Sequence, residues 1–227
     1  MLCRVEIALR FVCLAVEEVF ALAEVGGCHV LEGGGRYYIA KCEKDCNVFN
    51  RAALVKAVNG KKIRRERPSI IRSTKTLDYL TARLMTNLAR VKPGHVVWEP
   101  FMGTGAIAHE VERIGGRVVG GDLDVEALRL AMRNTNSDVV QADAATPPLR
   151  IKFDAVVTDP PYGRLTKSTI EVRALLNRFV EVAIHRIKSG GYLVFASPIY
   201  IDMPYLKSCA MYLHGGLYRV VNILRVD

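Results

Sequence analysis

The sequence lacks a long uninterrupted apolar run. Its most apolar stretch, Phe11 to Ala23, is broken by Glu17 and Glu18 and is shorter than the roughly 20 residues that a membrane-spanning helix needs. Half of the 227 residues are nevertheless hydrophobic, which is enough for a buried core and excludes a disordered chain. We therefore expect a soluble, cytoplasmic protein.

Acidic residues are also scarce. The chain has 23 Asp and Glu against 32 Lys and Arg, a net charge of +9 that attracts polyanions and makes binding salt-sensitive. Seven of the basic residues fall between Gly60 and Lys75, with Glu66 as the one acid among them. Such a run is usually a solvated face or a linker, and it becomes a candidate phosphate-binding segment if the rest of the chain handles nucleic acid. The candidate RNA-binding residues are Lys61, Lys62, Arg64, Arg65 and Arg67.

Paired CxxC spacing, the mark of a structural zinc site, is absent. The six cysteines stand at positions 3, 13, 28, 42, 46 and 209. Their spacing favours small buried side chains over metal ligands, and we predict no metal site. Some of them could pair if the host is a hyperthermophile, whose cytosol tolerates disulfides.

Residues 1–60 read as a small α+β unit. The pattern predicts strand CRVEIALR, helix FVCLAVEEVFALAEV, strands CHVLE and RYYIAKC, and a second helix VFNRAALVKAV. This βαββα order resembles a ferredoxin-like unit. Residues 61–75 follow as a basic linker.

Residues 76–227 alternate between helices and strands. Predicted strands end at Pro100, Leu123, Asp143, Pro161 and Pro198, and a last one covers YRVVNILRV. The segment MPYLKSCAMYL is predicted to be a helix. Such alternation is typical of a doubly wound, mostly parallel α/β sheet, whose ligands bind at the carboxyl ends of the strands.

The first strand end carries a glycine-rich loop. Glu99 and Pro100 precede Gly103, Thr104 and Gly105, after which a helix begins. Glycines allow a sharp turn and a close approach of a ligand to backbone N–H groups. GTGAIA also matches a dinucleotide-binding fingerprint. Glu99 argues against a dinucleotide as the ligand, because a carboxylate repels pyrophosphate but attracts an ammonium group.

Two further strand ends carry acids. Asp122, one strand after the glycine-rich loop, is placed to accept hydrogen bonds from ribose hydroxyls. Asp143, at the third strand end, could accept an adenine amino group, although a turn explains it almost as well. Asp124 is predicted to cap the next helix.

The motif FDAVVTDPPYG decides the class. The side chain of Asp159 and the carbonyl of Pro160 could accept both N–H groups of an exocyclic amine, whose delocalised lone pair makes it a poor nucleophile. Rigid prolines hold the acceptors in place, and Tyr162 could stack on the target base. The motif therefore indicates an amino methyltransferase.

In this order and spacing, EPFMGTG, GGDLD, QAD and DPPYGR resemble the archaeal tRNA guanine-N2 methyltransferases that act at position ten. The resemblance covers roughly Arg67 to Asp227. It implies a Rossmann-like, seven-stranded domain that uses S-adenosylmethionine to methylate the 2-amino group of a guanosine in RNA, with Asp159, Pro160 and Tyr162 serving the amine. The residues implied to line the cofactor are Glu99, Phe101, Gly103, Thr104, Gly105, Asp122 and Asp143.

The sequence departs from this family in two places. Glu99 stands where the family usually has Asp, and the sixty residues before the basic segment have room for a ferredoxin-like unit but not for the THUMP domain that follows it in the family. The grip on tRNA would then come from the basic segment, or from a partner such as the small zinc-binding activator subunit of related enzymes.

Three other functions remain open. An adenine-N6 methyltransferase on RNA or DNA uses the same constellation, although a DNA enzyme normally needs a target-recognition domain. A protein-glutamine methyltransferase usually has Asn in place of Asp159. A non-catalytic RNA-binding subunit is a third possibility, against which the intact DPPY motif and glycine-rich loop argue.

Overall fold

The computed structural model describes residues 1–161, 169–204, 206–214 and 216–227. The chain divides into two compact units, Met1–Pro68 and Ser69–Asp227. The boundary falls inside the basic segment 61–75, whose first two residues form a strand of the first unit rather than linker.

The first unit is a five-stranded antiparallel sheet with the order β2-β3-β1-β4-β5. The three strands and the first helix predicted for this unit are present, and the three strands lie in the order β2-β3-β1. Its elements are β1 (Leu2–Ile7), α1 (Val12–Val25), β2 (Cys28–Gly34), β3 (Tyr37–Cys42), a 3-10 helix (Asn47–Arg51), β4 (Val55–Val58) and β5 (Lys61–Lys62).

The predicted second helix of this unit is wrong. VFNRAALVKAV forms the short 3-10 helix and then strand β4. The buried carboxylate of Glu18, on α1, accepts hydrogen bonds from the backbone N–H groups of Ala53 (2.6 Å) and Leu54 (2.7 Å). A helix would need both N–H groups for its own carbonyls, so this long-range contact ends the helix and directs the chain into the sheet.

Two disulfides cross-link the first unit, Cys3–Cys46 and Cys28–Cys42. All four cysteines are buried, as predicted, and they form the kind of pairs that the sequence left open. The two bonds lie side by side, with 3.4 Å between the sulfurs of Cys3 and Cys42. Spacing along the chain did not reveal the pairing, because it is the antiparallel register of β2 and β3 that sets Cys28 opposite Cys42.

The second unit is built on a seven-stranded sheet with the order β11-β12-β10-β9-β6-β7-β8. The strands β10, β9, β6, β7 and β8 pair in parallel, and β12 is antiparallel to both of its neighbours. The predicted seven-stranded α/β class is confirmed. The strands are β6 (Val96–Glu99), β7 (Arg117–Asp122), β8 (Asp138–Gln141), β9 (Phe153–Thr158), β10 (Ile187–Ser197), β11 (Lys207–His214) and β12 (Leu217–Arg225).

The helices of the second unit are α2 (Tyr79–Leu88), α3 (Ala106–Arg113), α4 (Val125–Asn134) and α5 (Thr169–Arg186). Asp124 caps α4 as predicted, with its Oδ1 accepting from the N–H groups of Glu126 and Ala127. Among the described residues, no helix has the length and apolar character needed to cross a bilayer.

The predicted helix MPYLKSCAMYL is wrong, because most of it lies in strand β11. Its apolar residues suit either structure, and the pairing decides between them. Strand β12 needs a partner on its outer edge, and β11 pairs with it from Lys207 to His214, which buries Cys209 and Met211 on one face.

The length of the loop that each disulfide closes allows a prediction of how much that disulfide stabilises the protein. Cys3–Cys46 spans 43 residues and Cys28–Cys42 spans 14. The longer loop restricts the unfolded chain more, by about 1 kcal/mol. We expect the free energy of unfolding, measured with denaturant, to fall further in Cys3→Ala/Cys46→Ala than in Cys28→Ala/Cys42→Ala. Equal losses, or the reverse order, would contradict loop closure as the cause.

Candidate active site

Three acids lie at the carboxyl ends of three neighbouring strands. Glu99 ends β6, Asp122 ends β7, and Asp159 directly follows β9, on the other side of β6. Burial raises the pKa of Glu99 well above its ordinary range, and the charges of Asp122 and Asp159 raise it further. The parallel sheet therefore brings all three predicted acids within electrostatic reach of one another.

Glu99 is the most enclosed of the three, with 2% of its surface exposed. Its Oε2 accepts a hydrogen bond from the backbone N–H of Ala108, in the first turn of α3, at 2.9 Å. This bond lowers the pKa and opposes the larger effect of burial. A cation bound beside this carboxyl group would favour its ionised form, which suits the ammonium partner predicted for it.

The glycine-rich loop is held by Asp122. The N–H of Gly103 donates to Oδ2 of Asp122 at 2.8 Å, while Oδ1 accepts from the N–H of Asp124. Gly103 and Gly105 have φ values of +54° and +82°, which L side chains rarely adopt. Among the described residues, a Cβ on Gly103 would meet no atom within 4 Å. The turn therefore faces open space, as a ligand-binding turn requires.

A shallow, open depression lies beside this loop, at the ends of β6, β7 and β8. Its walls are mostly apolar, and Asp143 stands at its rim as an exposed acid. Oδ1 of Asp143 accepts from the N–H of Ala145 at 2.8 Å. The lining residues are Trp98, Pro100, Gly121, Val140, Ala142, Asp143, Ala144, Pro147 and Leu149. A flat aromatic heterocycle with an amino group matches this combination.

Asp159 and Pro160 stand at the neighbouring strand end. Pro160 is buried, and the side chain of Asp159 is 20% exposed. The guanidinium Nη2 of Arg219, from β12, lies 3.3 Å from Oδ2 of Asp159. Arg219 did not stand out in the sequence, because nothing near it marks a motif. Tyr162 lies outside the described residues.

Phe101 and Thr104 occupy the base of the loop. The ring of Phe101 packs edge-on against Phe179 of α5, with 5.4 Å between ring centroids, and its N–H donates to the hydroxyl of Thr158. Thr104 is buried, and its hydroxyl lies 3.0 Å from that of Thr76. Both contacts anchor the loop to the protein interior.

Asn134, the last residue of α4, is a second residue that sequence reasoning missed. Its amide accepts from the N–H of Ile71 at 2.7 Å and donates to the carbonyls of Ile71 and Thr104, each at 2.9 Å. One side chain thus ties the stretch before α2 to the glycine-rich loop. Together with the contact between Thr76 and Thr104, Asn134 holds this stretch beside the loop.

The basic segment is not uniform. Lys61, Lys62, Arg64 and Arg67 are exposed, whereas Arg65 is partly buried. The guanidinium of Arg65 donates to the carbonyls of Ala52 (3.1 Å) and Val55. Arg65 therefore stabilises the first unit, and the other four candidate RNA-binding residues are available to phosphates.

Comparison with known proteins extends these observations. The model of the RMKL-like methyltransferase domain, UPF0020, matches residues 111–210. A tRNA (guanine(10)-N2)-dimethyltransferase of Methanothermobacter thermautotrophicus is 36% identical over 159 residues, which are 63% of this chain and 47% of the relative. The enzyme of the same name from Methanocaldococcus jannaschii is 36% identical over 160 residues, 63% of this chain and 44% of the relative. Over about 160 residues, this chain is therefore similar to enzymes named tRNA (guanine(10)-N2)-dimethyltransferases.

The chain spans about half the length of the curated relatives that it matches. Among solved structures, TrmN from Thermus thermophilus superposes with a TM-score of 0.56 at 24% identity, covering 66% of this chain and 49% of TrmN. At this identity, the likeness shows the fold alone. Within the described part of the chain, no group of three or more His, Cys, Asp and Glu side chains is arranged to hold a metal ion.

The raised pKa of Glu99 predicts a pH-dependent cost to folding. Between about pH 4 and the folded-state pKa, the folded chain binds a proton that the unfolded chain releases, so the free energy of unfolding falls as pH rises. Glu99→Gln removes this contribution. We expect urea unfolding to show a stability difference that moves in favour of the variant as the pH rises above about 4. A difference that stays constant with pH would show that Glu99 carries no such cost.

Proposed function

We propose that this chain transfers a methyl group from S-adenosylmethionine to the exocyclic 2-amino group of a guanosine in RNA, with tRNA as the substrate class. The observation that carries the proposal is the position of Asp159 and Pro160 at the carboxyl end of β9, beside Glu99 and the glycine-rich loop. The names of the two archaeal relatives support the choice of base and RNA.

The cofactor fits the residues at the neighbouring strand ends. Glu99 would face the ammonium of its methionine part, and the open turn at Gly103 leaves room for the chain beside it. Asp122 would accept from the ribose hydroxyls, since each carboxylate oxygen has a lone pair beyond its backbone partner. Asp143 and the apolar depression would hold the adenine. When bound, S-adenosylmethionine supplies a methyl carbon that its sulfonium makes electrophilic.

The protein's task is to make the guanine amine a better nucleophile. Hydrogen bonds from its two N–H groups to Asp159 and to the Pro160 carbonyl would favour a pyramidal nitrogen with an available lone pair. The nitrogen then forms a bond to the methyl carbon as the carbon–sulfur bond breaks, which leaves a neutral thioether. The methylated amine loses one proton to water, and the negative charge of Asp159 stabilises the cation until that proton has left.

The direct test is to incubate the chain with labelled S-adenosylmethionine and unmodified tRNA, and to identify the labelled nucleoside by mass spectrometry. We expect N2-methylguanosine, with the rate at least about 100-fold lower in Asp159→Ala because an acceptor of the amine is removed. Binding of S-adenosylhomocysteine, measured by calorimetry, should persist in this variant. Asp138→Ala removes a carboxylate that is 76% exposed on the edge strand β8 and serves as the matched control.

Other products would overturn the proposal in distinct ways. Labelled N6-methyladenosine would assign the chain to adenine methylation. No label on tRNA, rRNA or DNA, together with no binding of S-adenosylhomocysteine, would identify a non-catalytic subunit.

For the tRNA itself, we propose a grip by the exposed residues of the basic segment, acting in the cytoplasm, where tRNA substrates are found. The paired cysteines of the first unit fit a cytosol of the hyperthermophile type. A small zinc-binding activator subunit, as the resemblance implies, is the alternative source of affinity.

Charge reversal tests this grip. In the quadruple variant Lys61→Glu, Lys62→Glu, Arg64→Glu and Arg67→Glu, we expect weaker tRNA binding and a salt dependence that falls by about one unit of slope for each phosphate that is no longer neutralised. Arg65 is left in place because it bonds to the protein backbone. The control changes the net charge equally at four exposed positions of the second unit. They are Lys92, Arg117, Arg129 and Lys152.

Equal losses of affinity in the two quadruple variants would mean that net charge alone attracts the RNA. Unchanged affinity and slope in the first variant would assign the grip to a partner subunit instead.

A further inference from the structure

Arg219 reaches the candidate active site because of the direction of its strand. Strand β12 runs antiparallel to β10, so its first residues lie at the carboxyl ends of the parallel strands. Val220 pairs with Ser197, the last residue of β10, and Arg219 precedes it. The start of β12 thus brings a cation to the edge where the three acids lie.

The contact between Arg219 and Asp159 is largely shielded from water. Their side chains are 14% and 20% exposed, and Nη2 lies 3.3 Å from Oδ2. Ion pairs on the surface contribute little and exchange readily with solvent, whereas an enclosed guanidinium keeps its charge and a fixed planar geometry. This pair therefore restricts the orientation of the carboxylate.

Orientation matters for the role proposed for Asp159. The carboxylate must present an oxygen to one N–H of the guanine amine while the Pro160 carbonyl meets the other. Arg219 engages Oδ2, which limits rotation of the carboxylate and therefore the directions in which both of its oxygens point. A carboxylate that rotated widely would meet the required geometry only part of the time, which lowers the rate without weakening the binding of the methyl donor.

We propose that Arg219 is a positioning residue for methyl transfer, acting through Asp159. This inference rests on the proposed function, because it assigns Arg219 to the same reaction. It predicts that kcat responds to Arg219 while binding of S-adenosylhomocysteine does not, and that Arg219 has no effect once Asp159 can no longer act.

The test compares Arg219→Met and Arg219→Lys with the parent chain in the tRNA methylation assay. We expect kcat to fall about 10- to 100-fold in Arg219→Met, with partial recovery in Arg219→Lys, which restores the charge but not the planar fork. Arg225→Met is the matched control, since Arg225 is an exposed arginine at the opposite end of the same strand. Melting temperatures of all variants separate loss of fold from loss of rate.

A double-mutant cycle identifies the route of the effect. In the background Asp159→Asn, Arg219→Met should cause no further loss of kcat, because the residue through which it acts has already been changed. Independent losses that multiply would overturn the proposal, as would a change confined to KM for tRNA, which would make Arg219 a phosphate contact.

The activity of the parent chain distinguishes failure of this proposal from failure of the proposed function on which it rests. If the parent makes no methylated nucleoside, both proposals fail together. If the parent is active and Arg219→Met retains its kcat, only the positioning role of Arg219 is overturned.

Discussion

Crowding of negative charge at one edge of the sheet shapes the second unit. Parallel pairing of β9, β6 and β7 places Glu99, Asp122 and Asp159 at adjacent strand ends. The negative charges of Asp122 and Asp159 oppose the ionisation of Glu99. The protein compensates two of the acids with backbone N–H groups and the third with a cation. Glu99 receives the N–H of Ala108, Asp122 receives the N–H groups of the loops on both sides, and Asp159 receives Arg219. These partners also set the direction in which each acid faces.

This compensation links the acids to the conformation of the loop. The N–H of Gly103 can reach Asp122 because the backbone turns through positive φ at Gly103 and Gly105, and only glycine adopts that turn without strain. A Cβ on Gly105 would also come within 3.0 Å of the Thr135 side chain. Asp122, the two glycines and the start of α3 therefore depend on one another and form a single structural feature.

The first unit is small, and its stability depends on cross-links as well as on its core. Its sheet is small, and it combines an apolar core with two disulfides and with a buried carboxylate, Glu18, that bonds to the backbone before β4. A compact sheet of this size buries little apolar surface, and cross-links reduce the entropy that its unfolded chain regains. The second unit relies instead on aromatic packing, with Phe179 of α5 in edge-on contact with Phe101 and Phe195.

Local signals in the sequence were sufficient to predict the strand ends marked by Glu99, Asp122 and Asp159, the glycine-rich turn, the cap at Asp124, and the alternation of a doubly wound sheet. Each depends on residues close together in the chain, where backbone geometry leaves few choices. The helices predicted over VFNRAALVKAV and MPYLKSCAMYL were wrong because distant partners, Glu18 for one and strand β12 for the other, outweighed local periodicity. The disulfide pairing, the anchoring of Ile71 by Asn134 and the contact of Arg219 with Asp159 depended on the three-dimensional fold, since each joins residues whose separation in sequence carries no signal of their proximity in space.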